Sequence, residues 1–431
     1  MDAINNTSND LFGHPKGLYI LFATEMWERF SFYGMRAILV YYMMKQLMFT
    51  QGKASNIYGL YTGFVYFTPF FGGILADKWF GQKKMVIIGG VIMALGHFFM
   101  AFESLFFPAL ICIIIGNGAL KPNISTQVGS LYHEHDHRRD RAFNIFYLGI
   151  NVGAFLSPLI CGTLGERYGW HYGFGAAGVG LLIGLVIYIW GQKYLASDEI
   201  TKHRGEKIVH PPLTPEEKKR IWALLALCAL NILFWIPYEQ EGNTLSLWAD
   251  DYTRRTVLGG LWEIPASWFQ SVNSAVIFFM TPTLCAFWAW QSRKDKEPTS
   301  IAKMAIGCVF LAICFVPMVF AARIAAHTGK VAPWYLLSCI FLMAVGELYL
   351  SPIGLSLVTK LAPPRFVSML MGVWFMSYFA GNYISGQVGG LWEQIPKSSF
   401  FMLQVGIAAL AACLIFLVIK PIHRSIGNID D

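Results

Sequence analysis

Four charged side chains, Glu25, Glu28, Arg29 and Arg36, lie within one apolar stretch near the N-terminus. Such a stretch is typical of a membrane-spanning helix, in which each unpaired charge costs about 2.5 to 3.5 kcal/mol. We therefore expect these groups to face protein or a water-filled cavity. At about 100° per residue, Glu25, Arg29, Tyr33 and Arg36 share one helix face, with Glu28 at its margin. Because pairing with arginine competes with protonation, these carboxylates could exchange protons, whereas a purely structural ion-pair cluster is the alternative.

Further charged groups lie deep in other apolar stretches: Lys121 before a proline, Glu239 and Glu241 in a Pro/Gly-interrupted segment, and Glu347 alone in its span. The deep cations Arg36 and Lys121 belong to the first half of the chain, and the deep anions without an obvious partner in sequence, Glu239 and Glu347, belong to the second. If the halves face each other across a cavity, a small zwitterion would fit between them. A cation channel would show repeated acids or a carbonyl filter, and an enzyme would show HExxH, GxSxG or P-loop patterns; we find none of these.

The composition indicates a membrane protein. Of 431 residues, 55% are hydrophobic and only 14% are charged, which is outside the range of water-soluble domains. Apolar segments long enough to cross a bilayer as helices recur along the chain, which excludes an outer-membrane barrel. We predict an all-α membrane protein with twelve transmembrane helices, at 18–44, 55–77, 85–103, 104–126, 142–163, 172–192, 221–248, 267–291, 301–325, 332–358, 367–391 and 399–420.

Basic residues in the loops predict the orientation and the domain boundaries. Most of the 33 Lys and Arg fall on the side of the N-terminus, so both termini are expected in the cytoplasm. We predict an N-terminal six-helix bundle at 1–192, a polar cytoplasmic linker at 193–220 and a C-terminal six-helix bundle at 221–431. The net charge of +7 follows from this asymmetry, and nothing indicates nucleic-acid binding. The eight cysteines show no CxxC spacing, so no metal site is predicted.

Two sequence motifs resemble those of a known family. The pattern ExxERFxxYG at residues 25–34 is similar to the ExxERF signature of the proton-dependent oligopeptide transporter (POT) family, within the major facilitator superfamily. The pattern FYxxINxG at residues 146–153 resembles its second signature. The loop at 77–84, with an acid, a glycine and bases, resembles the general superfamily motif. The resemblance extends from about residue 12 to 420.

The resemblance implies a major facilitator fold of two six-helix bundles that imports di- and tripeptides with protons by alternating access. It implies a bacterial inner-membrane location, function as a monomer surrounded by lipid, peptides and peptide-like drugs as substrates, no cofactor besides the coupling proton, and no enzymatic activity. The implied substrate-binding residues are Tyr33, Arg36, Tyr66, Lys121, Asn151, Asn273, Glu347 and Trp374, of which Arg36 and Lys121 face the peptide carboxylate and Glu347 takes the amino group. The implied proton-coupling residues are Glu25, Glu28, Arg29 and Glu239.

Several positions depart from the family pattern. The linker at 193–220 is too short and polar for the extra helix pair of many bacterial relatives. Gly59 stands where animal members of the family carry a histidine, so we expect no histidine-based proton relay and assign that work to carboxylates. Ala154 and Asn243 replace serines that are usual in the family. The alternatives are a proton-coupled nitrate or other small-anion symporter of the same fold, against which Glu347 argues, and a transport-inactive sensor or scaffold.

Overall fold

A computed structural model describes residues 10–133, 136, 138–197, 213–363 and 366–426. The middle of the predicted linker, 198–212, lies outside the described residues. The described residues form fifteen α-helices: α1 Lys16–Lys45, α2 Gln51–Leu75, α3 Gln82–Phe99, α4 Phe106–Ser130, α5 Arg138–Ser157, α6 Thr163–Tyr168, α7 Trp170–Gly191, α8 Pro215–Tyr238, α9 Thr244–Asp251, α10 Trp268–Ser292, α11 Ser300–Cys314, α12 Val316–Thr328, α13 Trp334–Leu361, α14 Val367–Gly389 and α15 Lys397–Ile426.

Three of these helices continue a preceding one, so the fifteen correspond to twelve membrane-length segments. A wider helical turn, Pro158–Gly162, joins α5 to α6, and a single residue separates α11 from α12. Helix α8 ends in Pro237 and Tyr238, after which a turn leads into the short helix α9. Nine helical segments of the described chain are long and apolar enough to cross a membrane. Helix α1 is not among these nine, and it contains the charged residues Glu25, Glu28, Arg29 and Arg36.

Two short antiparallel hairpins lie outside the membrane-spanning helices. In the first, β1 (Asp10–Leu11) pairs with β2 (His14–Pro15), and in the second, β3 (Thr256–Val257) pairs with β4 (Trp262–Glu263). Arg138, at the start of α5, donates hydrogen bonds to Asp10 at 2.9 Å and to Asp136. Hydrogen bonds from Arg138 lower the pKa of the partly exposed Asp136 to about 2. The first hairpin is therefore attached to the loop before α5.

The chain groups into two compact units. The first contains Met1–Ile38 and Phe67–Glu206, and the second contains Leu39–Tyr66 and Lys207–Asp431. In the first unit, α3 packs against α4 and α7. In the second, α11 packs against α13 and α15, and α8 packs against α14 and α15. The division of the sequence at 193–220 into two six-helix domains stays a prediction.

Residues 39–66 join the second unit through polar contacts as well as packing. The Tyr41 hydroxyl donates to the Ser246 carbonyl at 2.7 Å, and the Gln51 side chain donates to the Gly389 carbonyl at 2.8 Å. Ser55 donates to the Asn243 side chain at 2.9 Å. Asn243 thus holds α2 to the segment that follows α8.

Close helix packing in the first unit depends on glycine. A Cβ at Gly72 of α2 would lie 1.9 Å from the Gly118 carbonyl oxygen of α4, whereas a Cβ at Gly73 would meet nothing within 4 Å. We predict that Gly72→Ala destabilises the protein by about 1 to 3 kcal/mol, because the two helix backbones must separate. Gly73→Ala is the matched control and should be neutral or slightly stabilising. Equal thermal denaturation midpoints for the two variants would contradict this packing.

Candidate functional site

Arg29 of α1 is shared between two buried carboxylates. Its Nε lies 3.2 Å from Glu25 Oε1 and also pairs with Glu28. Glu25, Glu28 and Arg29 are 2%, 0% and 3% exposed. The i, i+4 spacing places Glu25 and Arg29 one turn apart on the same face, as the sequence predicts. The expected pairing of charges within α1 is therefore present, because burial without a partner would cost several kcal/mol per ion.

Helix α4 completes this cluster. Asn117 donates from Nδ2 to Glu28 Oε1 at 3.3 Å. Lys121 follows one turn later and lies close enough to interact electrostatically with Glu25, Glu28 and Arg29. We call Glu25, Glu28, Arg29 and Lys121 the α1/α4 cluster. With all four groups ionised, its net charge is zero, so the loss or gain of one proton leaves an unbalanced buried charge.

One carboxylate oxygen of the α1/α4 cluster stands out. Glu25 Oε2 is buried and accepts no hydrogen bond from any residue that the structure describes. A proton on this oxygen would break no hydrogen bond to the described chain, whereas Glu28 uses one oxygen for Arg29 and the other for Asn117. Glu25 is therefore the less constrained of the two acids.

A second polar network occupies the second unit and connects α8, α10 and α13. The Tyr238 hydroxyl donates a hydrogen bond to Glu347 Oε2. Asn273 donates from Nδ2 to Tyr238 Oη at 3.2 Å and to Glu241 Oε2 at 2.9 Å. We call Glu347, Tyr238, Asn273 and Glu241 the acidic network. The sequence indicated that Glu347 stands alone in its span. The structure instead shows that it accepts a hydrogen bond from a tyrosine of another helix.

The predicted aromatic residues of the second unit meet in one cluster. The Tyr66 ring lies 5.2 Å from the Tyr378 ring, and Tyr378 in turn lies 6.4 Å from Trp374 and 4.2 Å from Trp235. Trp374 is completely buried, and it packs so closely on Gly354 that a Cβ there would lie 2.3 Å from the indole. Tyr66 is only partly buried and is therefore the more accessible of the two predicted pocket residues.

The remaining predicted residues are placed individually. Arg36 is 8% exposed and lies seven residues beyond Arg29, or about 10 Å along the axis of α1. Tyr33 is partly buried on the intervening turn. Asn151 of α5 donates to the Tyr147 carbonyl of its own helix at 2.9 Å. Glu239, which follows α8, is 2% exposed. Arg36, Tyr33 and Asn151 belong to the first unit and Glu239 to the second.

The sequence reasoning missed a buried histidine. His97 of α3 is completely buried, and its Nε2 lies 2.7 Å from the Ser31 hydroxyl of α1, three residues after Glu28. The signal for this residue is a histidine inside the predicted membrane span 85–103. Tyr238 and Glu241 were also not assigned as partners of Glu347 and Asn273. Among the described residues, no group of three or more His, Cys, Asp or Glu could hold a metal ion.

Comparison with known proteins places the chain in a family. The POT family model matches residues 83–210 and 195–407, which together cover most of the sequence. This chain belongs to the POT family. It is 33% identical to the peptide transporter YePEPT of Yersinia enterocolitica, over 97% of this chain and 96% of that protein. It is 30% identical to the di-/tripeptide transporter of Lactococcus lactis subsp. cremoris, over the full length of both.

Solved structures agree with this assignment. The crystal structure of a variant of the peptide transporter POT in complex with alafosfalin superposes with a TM-score of 0.88, at 32% identity and over 97% of both chains. The predicted family and the predicted all-α major facilitator fold are therefore confirmed. As a POT family member with many apolar helices, the protein is a multi-pass protein of the bacterial inner membrane. The POT family is a family of transporters and not of enzymes, and the orientation of the termini stays a prediction.

Proposed function

We propose that this protein imports di- and tripeptides together with protons, and that the α1/α4 cluster and the acidic network perform the two parts of this work. The observation that carries the proposal is the presence of these ionisable groups, among them the buried Glu25, Glu28, Arg29 and Glu241, in or beside the helices of a POT family member. Ionisable groups in membrane-spanning helices are energetically costly, so their presence supports a functional role.

The proposed proton-coupling step uses the balance of charge around Arg29. When Glu25 is protonated, Arg29 forms an ion pair with Glu28 alone, and the cluster carries one excess positive charge. When the proton leaves, Glu25 and Glu28 share Arg29 again. The unpaired Oε2 atom of Glu25 supports this acid as the proton carrier, and Glu28, held by Asn117, supports the paired state. Glu239 is proposed to couple the second unit to the same cycle.

The proposed site for the peptide amino group is the acidic network. Its four side chains include two carboxylates, which can accept hydrogen bonds from the three N–H donors of an ammonium group. Hydrogen bonds between ionised groups are about twice as strong as neutral ones, which suits recognition of a free N-terminus by Glu347. Asn273 lies beside Glu241 and is positioned to hydrogen-bond a peptide group as well.

The remaining assignments complete the proposed site. Arg36 and Lys121 are proposed to attract the peptide carboxylate, and Asn151 to bind the peptide backbone. Tyr33, Tyr66 and Trp374 are proposed to contact peptide side chains, with Trp374 acting through Tyr378 because it is fully buried. Peptide-like compounds such as alafosfalin, which is bound in the related structure, are proposed as further substrates, and the monomer in lipid as the functional form.

Substrate competition tests this function against the small-anion alternative. In proteoliposomes under a proton gradient, unlabelled free di- and tripeptides should block uptake of a labelled dipeptide, whereas nitrate at the same concentration should not. Peptides compete because they occupy both the cationic residues and Glu347, while nitrate has no group for the acidic network. Inhibition by nitrate but not by peptides would contradict the proposed substrate.

Arg36→Gln should reduce gradient-driven dipeptide uptake to less than about a tenth, because the peptide carboxylate loses a charged partner worth about 1.5 to 3 kcal/mol. The thermal midpoint in detergent should stay near that of the wild type. Lys53→Gln is the matched control, since Lys53 is an exposed cation on α2 and should be dispensable. Normal transport by Arg36→Gln would show that Arg36 does not bind the substrate. A variant that fails to fold would show that Arg36 supports the structure and not substrate binding.

A further inference from the structure

A cavity of about 490 Å³ lies away from the proposed substrate residues, where α9, the end of α12 and the start of α15 meet. Its lining includes Trp248, Tyr252, Arg323, His327, Pro396 and Lys397. All of these residues belong to the second unit. The cavity therefore lies within one compact body.

The cavity wall is basic. Arg323 is exposed and has no ion-pair partner among the residues that the structure describes. His327 follows one turn later on the same face of α12. Lys397 donates to the Trp392 carbonyl, and the nearby acids Asp251 and Glu393 interact with it electrostatically but do not line the cavity. The wall thus presents two basic side chains, Arg323 and Lys397, and a histidine, which suits an anion.

Two sets of N–H donors accompany these cations. Trp248 is completely buried, and its indole N–H has no acceptor in the described part of the chain. Burying an N–H donor without an acceptor is energetically unfavourable unless a ligand or water accepts from it. In addition, Lys397 and Ser398 lie in the first turn of the 30-residue helix α15. The backbone amides of a first turn have no acceptor within the helix. A helix N-terminus with free amides favours a phosphate or carboxylate.

The cavity opens where two apolar helices reach the membrane surface. One candidate span ends at Thr328, and another begins at Lys397. Beside the cavity, α12 exposes Phe320 and Ile324, and α15 exposes Met402 and Leu403. We propose that the cavity binds the phosphate group of a membrane phospholipid, whose acyl chains lie along these exposed faces of α12 and α15. A free anion would use the cations and the N–H donors but not the apolar faces.

Lipid binding to the purified, detergent-solubilised protein tests this site. Titration with phosphatidylglycerol, followed by native mass spectrometry, should show a bound lipid whose affinity falls about fivefold in Arg323→Gln and about 25-fold in the double variant Arg323→Gln/Lys397→Gln, at about 1 kcal/mol per cation. Lys330 is an exposed cation on the same side of the protein that does not line the cavity, so the control variant Lys330→Gln should bind the lipid like the wild type.

Two control ligands test whether binding requires both the phosphate group and the acyl chains of the lipid. Diacylglycerol with the same acyl chains lacks the phosphate and should bind equally weakly to the wild type and the double variant. Glycerol 3-phosphate lacks the chains and should bind far more weakly than phosphatidylglycerol. Equal binding of glycerol 3-phosphate and phosphatidylglycerol would show that the cavity binds soluble anions and not a lipid. Equal lipid affinity in all variants would show that the lipid does not bind in this cavity. If the double variant is unfolded, Arg323→Gln, which changes an exposed side chain, decides the question.

Discussion

Replacement of Glu347 by Gln should abolish the uptake of peptides with a free N-terminus. Glu347 is the carboxylate that Tyr238 orients, and the proposed site uses its charge for the peptide ammonium group. Glutamine keeps the shape and the acceptor for the Tyr238 hydroxyl but not the charge. Loss of a charge-assisted hydrogen bond costs about 1.5 to 3 kcal/mol, so dipeptide affinity should fall about 10- to 100-fold. Uptake of labelled dialanine into proteoliposomes measures the effect.

Two comparisons make this result specific. Tyr238→Phe removes only the hydroxyl that orients Glu347, so it should cause a smaller loss than Glu347→Gln. N-acetylated dialanine has no ammonium group, so it should bind the wild type weakly and should lose little further affinity in Glu347→Gln. If Glu347→Gln transports free dipeptides normally, or weakens free and acetylated peptides equally, Glu347 does not recognise the amino group.

Replacement of Glu28 by Gln should separate peptide exchange from proton-driven accumulation. Glutamine cannot carry the Glu28 charge, so Arg29 can form an ion pair only with Glu25. Glu25 must then stay ionised beside Arg29 and cannot take up the proton that drives accumulation. Arg36 lies eight residues away, about 12 Å along the helix axis, so bound peptide need not touch Glu28. Vesicles preloaded with unlabelled dipeptide should therefore still exchange it for labelled dipeptide, while failing to concentrate dipeptide under a gradient.

The control for Glu28→Gln is stability. Without the Glu28 charge, the α1/α4 cluster carries one excess positive charge, and an uncompensated buried charge can destabilise a protein by about 3 to 5 kcal/mol. The thermal midpoint must therefore be measured beside transport. Gradient-driven accumulation by a folded Glu28→Gln variant would show that Glu28 has no role in proton coupling. Loss of both exchange and accumulation with intact folding would place Glu28 in the gate or the binding site instead.

The fold and the α1 part of the site could be predicted because both depend on local patterns. Membrane spans are read from apolar length, and the structure places a helix at each of the predicted spans. The pairing of Glu25 with Arg29 follows from residues four apart on one helix, which must be neighbours. The cost of burying charge then restricts what these side chains can do, whatever the rest of the chain does.

Contacts between distant helices could not be predicted in this way. The Tyr238 to Glu347 hydrogen bond joins residues 109 positions apart, and the His97 to Ser31 contact joins residues 66 apart. Periodicity shows which face of a helix is polar but not which helix packs against it. The same limit made Glu347 look isolated and left Glu241 without a role, although Asn273 donates to it directly.

The measurement that tests proton-coupled import most directly is accumulation of a labelled dipeptide by proteoliposomes, with and without an imposed gradient that is negative and alkaline inside. One proton entering at about 150 mV releases about 3.5 kcal/mol, enough for a gradient of a few hundredfold. We expect the gradient to drive internal dipeptide well above the external concentration, and collapse of the gradient with a protonophore to release it. Equilibration to equal concentrations regardless of the gradient, or no dipeptide entry at all, would contradict proton-coupled peptide import.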